Sequence, residues 1–222
     1  MIRNLFCPNL IETGPVSDGL MVVRDGWVNF FILKSPAGLV CIDAGGSASG
    51  VSRGFELLGL EREQVVAVLV THLHWDHAQG LSLFPQAEVY VGEKEVTPFY
   101  MRSRKVKNLK RVNGDRTIHV GGLDVRVLDT PGHTVGSVSY VIGGGLLFTG
   151  DTLRLRGGIV YPFRSCFNRE NRVLPQSIRK LARLNGVECL LTAHHGISRD
   201  MQVAFGPWMP QSGDAGVGGV GS

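Results

Sequence analysis

Short apolar runs separated by turn residues fill the first part of the chain. Leu20–Val23, Asn29–Leu33 and Leu39–Asp43 are broken by Asp25-Gly26 and by Pro36-Ala37-Gly38, a pattern that predicts strands joined by tight turns. Residues Ser47 to Leu58 predict a helix, although Gly50 and Gly54 weaken it. The run Val65-Val66-Ala67-Val68-Leu69-Val70 does not alternate with polar residues, so it reads as a strand covered on both faces. A short helix from Ala78 to Leu83 and a strand Ala87–Val91 follow, and Glu93 to Val106 predicts an irregular helix interrupted by Pro98. Further strands are expected at Arg116–Val120, Leu123–Asp129, Ser137–Ile142 and Gly145–Phe148. Val173, Leu174, Ile178, Leu181 and Leu184 recur at helical spacing within Asn171–Leu184, and Gly186 closes that helix. A last buried strand is expected at Val187–Thr192. The order is ββ(α)β twice, which predicts an α/β (α+β) protein with two sheets face to face and helices outside.

The length of 222 residues and a hydrophobic content of 43% suit one core and not two. We place a single domain at residues 1–205 and a Gly-rich tail, expected to be disordered, at 206–222. Charge changes this picture little. The formal net charge is +4, and its one dense stretch runs from Arg102 to Arg111 without interleaved aromatic residues. Such a run reads as a solvated face, and nucleic acid is not the expected partner. Of the four cysteines, Cys41 and Cys189 sit in apolar runs as small hydrophobes, and with Cys7 and Cys166 they form no C-x-x-C pair. The N-terminal residues Met1 to Gly14 lack a continuous apolar core, and no apolar run reaches the length of a membrane span. The expectation is a cytoplasmic protein that acts on a small molecule away from membranes; a homodimer is left open.

The candidate chemistry lies just after the Val65–Val70 run. Three of the seven histidines fall in Thr71-His72-Leu73-His74-Trp75-Asp76-His77. Crowding four strongly polar side chains at a strand end has no benefit without a ligand. Two histidines two apart on extended chain share a side, while Asp76 and His77, at the start of a helix, turn toward a second point. One loop can thus serve two metal ions, and imidazole with carboxylate suits Zn²⁺, Fe or Mn. The remaining ligands should come from other strand ends. Pro131-Gly132-His133-Thr134, Thr149-Gly150-Asp151-Thr152 and His194-His195-Gly196 each follow an apolar run, beside a glycine that permits close approach.

These segments together resemble the signature of the metallo-β-lactamase-fold superfamily: His72-Leu-His-Trp-Asp-His77, Gly132-His133, Gly150-Asp151 and His195-Gly196. The resemblance runs from about Leu20 to Ser198. It implies a four-layer αββα sandwich with two divalent ions, Zn²⁺ first among them. It implies His72, His74 and His133 at one ion, Asp76, His77 and His195 at the other, and Asp151 between them. The family pattern sets the ligand directly before the glycine, which selects His195 and leaves His194 as a loop neighbour or a substrate contact. Asp43 would hold ligand imidazoles from behind, and His119 has no partner motif.

The chemistry implied is hydrolysis of a small ester, lactone, thioester or β-lactam by a hydroxide on a pair of ions about 3.5–4 Å apart, with Asp76 as a proton acceptor. Tyr161, Phe163, Arg164 and His194 are the candidate substrate contacts, with Trp75 and Phe99 as further aromatic ones. Glycine patterns of a serine hydrolase or a phosphate-binding loop are absent. The helical C-terminal domain of glyoxalase-II-like thioesterases and the long insert of the superfamily's nucleases have no counterpart in the expected domain. A mononuclear-iron oxidoreductase of the persulfide dioxygenase kind and a phosphodiesterase on the same fold are the alternative activities; a non-catalytic scaffold is the third reading.

Overall fold

The computed structural model describes residues 9–98, 106, 108–143 and 145–209. Its first sheet has seven strands in sequential order: β1 (Gly14–Ser17), β2 (Leu20–Asp25), β3 (Val28–Ser35), β4 (Gly38–Ile42), β5 (Val65–Leu69), β6 (Glu88–Gly92) and β7 (Leu109–Val112). The first four pair antiparallel through short turns, and β4 to β7 pair parallel. The second sheet has six strands, β8 (Arg116–Val120), β9 (Leu123–Asp129), β10 (Val138–Ile142), β11 (Leu146–Phe148), β14 (Cys189–Leu191) and β15 (Ile197–Ser198), in the order β15-β14-β11-β10-β9-β8. A separate hairpin, β12 (Leu153–Arg156) and β13 (Ile159–Pro162), lies beyond the second sheet.

Each sheet is apolar on both faces, which explains why the strands read as continuous runs. Val22, Phe31, Val40, Ile42 and Leu69 of the first sheet meet Val125, Val127, Tyr140, Phe148 and Leu191 of the second in the central layer. The opposite face of the first sheet, with Val23, Phe30, Ile32 and Val68, is covered by Val51 and Phe55 of helix α1 (Ala48–Leu58). Leu128, Leu147 and Leu190 on the outside of the second sheet are covered by Leu174, Ile178 and Leu181 of helix α3 (Leu174–Ala182), by the hairpin, and by Ala204 and Phe205 of helix α4 (Met201–Phe205). The layers are helix, sheet, sheet, helix, as expected. A short helix α2 (Trp75–Ala78) runs directly into a 3₁₀ turn at Gln79–Leu83.

Three expectations change. Residues 93–98 form a turn and irregular chain, not a helix; residues 99–105 and 107, with Phe99, Arg102, Arg104, Lys105 and Lys107, lie outside the described residues. Lys110 and Arg111 of that run are on β7. Helix α3 starts at Leu174 and not at Asn171, because Pro175 fits only a first turn: further inside a helix its ring would strike the carbonyl four residues before it. The chain also remains packed beyond 205. Gly206–Trp208 form a 3₁₀ turn, and the Trp208 indole N–H donates to the Val160 carbonyl at 2.8 Å. Residues 210–222 of the expected tail, like Cys7, lie outside the described residues. Among the described residues, Cys41 and Cys189 are free and buried, and no helix is long and apolar enough to cross a membrane.

Candidate metal centre

Every residue of the centre stands where a strand of one of the two sheets ends. His72 and His74 are on the extended segment after β5, and Asp76 and His77 are in α2. His133 follows β9, Asp151 lies in the 3₁₀ turn Gly150–Thr152 after β11, and His194 and His195 follow β14. Segments far apart in the chain therefore meet at one edge of the sandwich.

Two triads form there. His72 Nε2 and His133 Nε2 lie 3.0 and 2.8 Å from His74 Nδ1. Asp76, His77 and His194 make the second triad, with Asp76 Oδ2 at 3.8 Å from His77 Nε2 and 3.4 Å from His194 Nε2. Asp151 stands between them, with Oδ2 at 3.4 Å from His133 Nε2 and Oδ1 at 3.3 Å from His194 Nε2 and 3.6 Å from His77 Nε2. In each group the donor atoms lie within 4.8 Å of one another. A tetrahedral ion with metal–nitrogen bonds of about 2.0–2.1 Å would separate its ligand atoms by about 3.3 Å, so both triads are of the right size.

Each of four imidazoles is held from behind. The Nδ1–H of His77 donates to Asp43 Oδ2 at 2.8 Å. That of His72 reaches the Thr71 hydroxyl at 3.1 Å, which donates in turn to Asp43. His133 Nδ1 pairs with Asn168 Oδ1 at 3.0 Å, and His194 Nδ1 with the Trp27 carbonyl at 2.7 Å. These partners occupy Nδ1 and turn the Nε2 of each ring inward. Asp43 makes its contacts from the left-handed region, at φ 63, a strained position of the kind that persists where the surroundings demand it. His77 Nε2 and Asp151 Oδ1 are fully buried and have no hydrogen-bond partner, which fits a metal ion as their partner.

The electrostatics have the same origin. Burial, then the neighbouring His133, pushes His74 down to about 4, and His72 lies well below its ordinary value for similar reasons. Burial would also lower His77, but the Asp43, Asp151 and Asp76 carboxylates outweigh it and raise the ring to about 10. Burial opposes ionisation of Asp76 and Asp151, yet the surrounding imidazoles hold both carboxyls below the usual range. Both acids are therefore held ionised, and His72 and His74 neutral, as metal ligation requires of those groups.

One assignment is corrected. His194, and not His195, reaches the second triad. The turn after β14 is closed by Thr192, whose hydroxyl accepts from the His195 backbone N–H at 3.0 Å and donates to the Gly196 carbonyl at 2.8 Å. Asn29 N–H donates to the Ala193 carbonyl, and the Trp27 carbonyl takes the His194 ring, so the β2–β3 hairpin draws His194 inward. His195 belongs to none of the metal-sized groups and lies 6.1 Å from the Phe163 ring. Of the expected substrate contacts, Phe163 packs against His133 at 5.0 Å and His194 at 5.8 Å between ring centroids. Tyr161 is half exposed and lies beneath the Arg154 guanidinium. Trp75 meets Trp27 edge-on at 5.7 Å, and both are partly exposed beside Asp76. His119 is at the surface with Asp124. Thr71, Asn168 and the Trp27 carbonyl stand behind these rings, and no motif marks them; only Thr71 has a place in the sequence, directly before His72, that could have suggested it.

Comparison with known proteins identifies the family. The chain is 34% identical over 151 residues to a hydroxyacylglutathione hydrolase of Erwinia tasmaniensis, covering 64% of this chain and 57% of that protein. It is 30% identical over 138 residues to a probable polyketide biosynthesis zinc-dependent hydrolase of Bacillus subtilis, covering 60% of this chain and 58% of that one. The chain thus spans less than two thirds of the length of these relatives. A solved metallo-beta-lactamase family protein of Thermus thermophilus shares the fold with a TM-score of 0.66 at 22% identity, over 85% of this chain and 77% of that one. The profile of the metallo-beta-lactamase superfamily matches residues 24–205, and with the αββα layers and the His/Asp cluster in place, the chain belongs to that superfamily.

Proposed function

We propose that the protein is a two-metal hydrolase of small esters, lactones, thioesters or β-lactams. The observation that carries this reading is the pair of buried, unpartnered atoms, His77 Nε2 and Asp151 Oδ1, inside a ring of inward-facing imidazoles. His72, His74 and His133 would hold one ion, and Asp76, His77 and His194 the other, with one oxygen of Asp151 toward each. Divalent ions there supply Lewis acidity and bring the pKa of water down toward about 7. Zn²⁺ suits this donor set, and the two relatives named above carry hydrolase names, one of them zinc-dependent.

The chain's own groups do the rest. Asp76 stays ionised and half-buried at the mouth, where its carboxylate accepts a proton from attacking water. Asp43 and Thr71 fix the rings of His77 and His72, so the site is organised before substrate arrives. Phe163 closes one side of the histidine cluster against water, and the Trp27–Trp75 pair offers an apolar rim beside Asp76 for an acyl or ring group. Arg164, next to Phe163 in the chain, would be the cation that meets a polar group of the substrate.

The test is hydrolysis of an ester, lactone, thioester and β-lactam panel by chelated protein before and after Zn²⁺ is restored. Activity should return only with metal. His74→Ala, Asp151→Ala and His194→Ala should each lower kcat/KM at least about 10³-fold, the scale on which losing an essential electrostatic group acts, while His195→Ala keeps most of it. Metal-independent turnover, or full activity in Asp151→Ala, would refute the reading.

A further inference from the structure

Glu95 is 5% exposed, and no ion pair to it occurs among the described residues. Its two carboxylate oxygens go to different loops. Oε1 accepts from the Leu73 backbone N–H at 3.2 Å, and Oε2 accepts from the Thr134 hydroxyl at 2.5 Å. Leu73 is the residue between His72 and His74, and Thr134 follows His133. One buried carboxylate therefore ties together the backbones that carry all three imidazoles of the first triad. A buried carboxylate is costly unless its hydrogen bonds are filled, so a purely structural use of this position would be better served by an apolar residue.

The surroundings fix Glu95 in turn. Its backbone N–H donates to the Gly92 carbonyl, and the Arg111 guanidinium donates to its carbonyl at 2.7 Å. A Cβ on Gly136 would come within 2.1 Å of Glu95 N, so the turn after β6 is pressed against the segment that carries Thr134 and Ser137. The hydroxyl of Thr134 is also paired with Ser137 Oγ at 2.8 Å, which holds it in place to donate to Glu95. Among the described residues, Glu95 has no bond to the second triad's anchors: Asp43, which stands behind His77 and also reaches His72 through Thr71, and the Trp27 carbonyl behind His194.

From this arrangement we infer that Glu95 is a positioning residue for the first metal triad: it sets the separation between the His72–His74 segment and His133, and so the affinity and geometry of that site and not of the other. The inference rests on the metal centre proposed above. The carboxylate's effect would run through the Leu73 N–H and the Thr134 hydroxyl, the two groups it holds beside the ligand-bearing residues.

The experiment is titration of full-length, metal-free protein with Co²⁺, followed by its visible absorption spectrum, for the natural chain, Glu95→Gln, Glu95→Ala and Thr134→Val. The natural protein should take up two Co²⁺. Glu95→Ala should weaken one of them by about 10–100-fold, the usual effect of losing a group that orients ligands, and change its d–d bands while the other site titrates normally. Glu95→Gln keeps the size and loses the charge, and Thr134→Val cuts one arm of the tie; both should show the same site-selective effect in milder form. A role in stability alone would lower Tm with both spectra and affinities unchanged, and that outcome in Glu95→Gln or Thr134→Val overturns the inference even if Glu95→Ala fails to fold. Weakening of both sites equally would overturn it as well. Absence of Co²⁺ binding by the natural protein would instead refute the metal centre itself.

Discussion

At the scale of single residues, the histidines of the centre are set apart by what stands behind them. His77 is raised to about 10 because three carboxylates outweigh its burial, whereas burial lowers His74 and His195 to about 4. An unfolded histidine titrates near about 6.5. Between that value and 10, metal-free folded protein binds a proton at His77 that the unfolded chain does not, so His77 stabilises the fold below about 6.5 and its contribution fades as pH rises toward 10. His74 and His195 behave oppositely: the unfolded chain takes up protons that the fold refuses, and stability falls as pH drops from about 6.5 toward 4. Thermal unfolding in chelator should therefore show greatest stability near pH 6.5 and a decline on both sides. A Tm that stays level from pH 6.5 to 9 would contradict the role given to Asp43, Asp76 and Asp151 around His77. The sequence shows these histidines clearly as a cluster. It does not show which of His194 and His195 turns inward, because that choice is made by Thr192, Trp27 and Asn29, and the last two are distant in sequence though in direct contact in space.

At the scale of elements, the strands are the most legible part, because runs such as Val65–Val70 must be covered on both faces and glycine or proline marks most of their ends. The hairpin β12–β13 and strand β7 escape a reading by pattern: Leu153-Arg154-Leu155-Arg156 is short, and β7 is charged at Lys110 and Arg111. The turn at 93–98 reads as helical because its carboxylates and lysine favour helices locally, while packing against Gly136 decides its shape. The loop after β11 shows how closely the elements approach. Gly150 has φ 49, and a Cβ there would stand 2.4 Å from the Thr71 hydroxyl that links His72 to Asp43. Thr71 is buried and bonded, so it cannot move aside. Gly150→Ala should cost at least about 1–2 kcal/mol from backbone conformation alone and weaken metal binding as Thr71 is displaced. Denaturant unfolding and metal titration check this; unchanged values in both would mean that the loop has room to yield.

At the scale of the whole molecule, the two sheets bring segments separated by more than a hundred residues to one edge, and helices α1 and α3 cover the faces turned away from it. Burying all these apolar faces fixes the sheet edge, and the rigid edge lets short loops present ligands with little freedom. Each ion bound to such a prepared edge would also stabilise the fold by mass action, so in the proposed enzyme function and stability share one set of side chains. The most direct test of the account is the metal content of purified protein by elemental analysis. The account predicts two transition-metal ions per chain, falling to one in His194→Ala and remaining two in His195→Ala. Protein that holds no transition metal after saturation with Zn²⁺, or that loses an ion with His195 and none with His194, would contradict it.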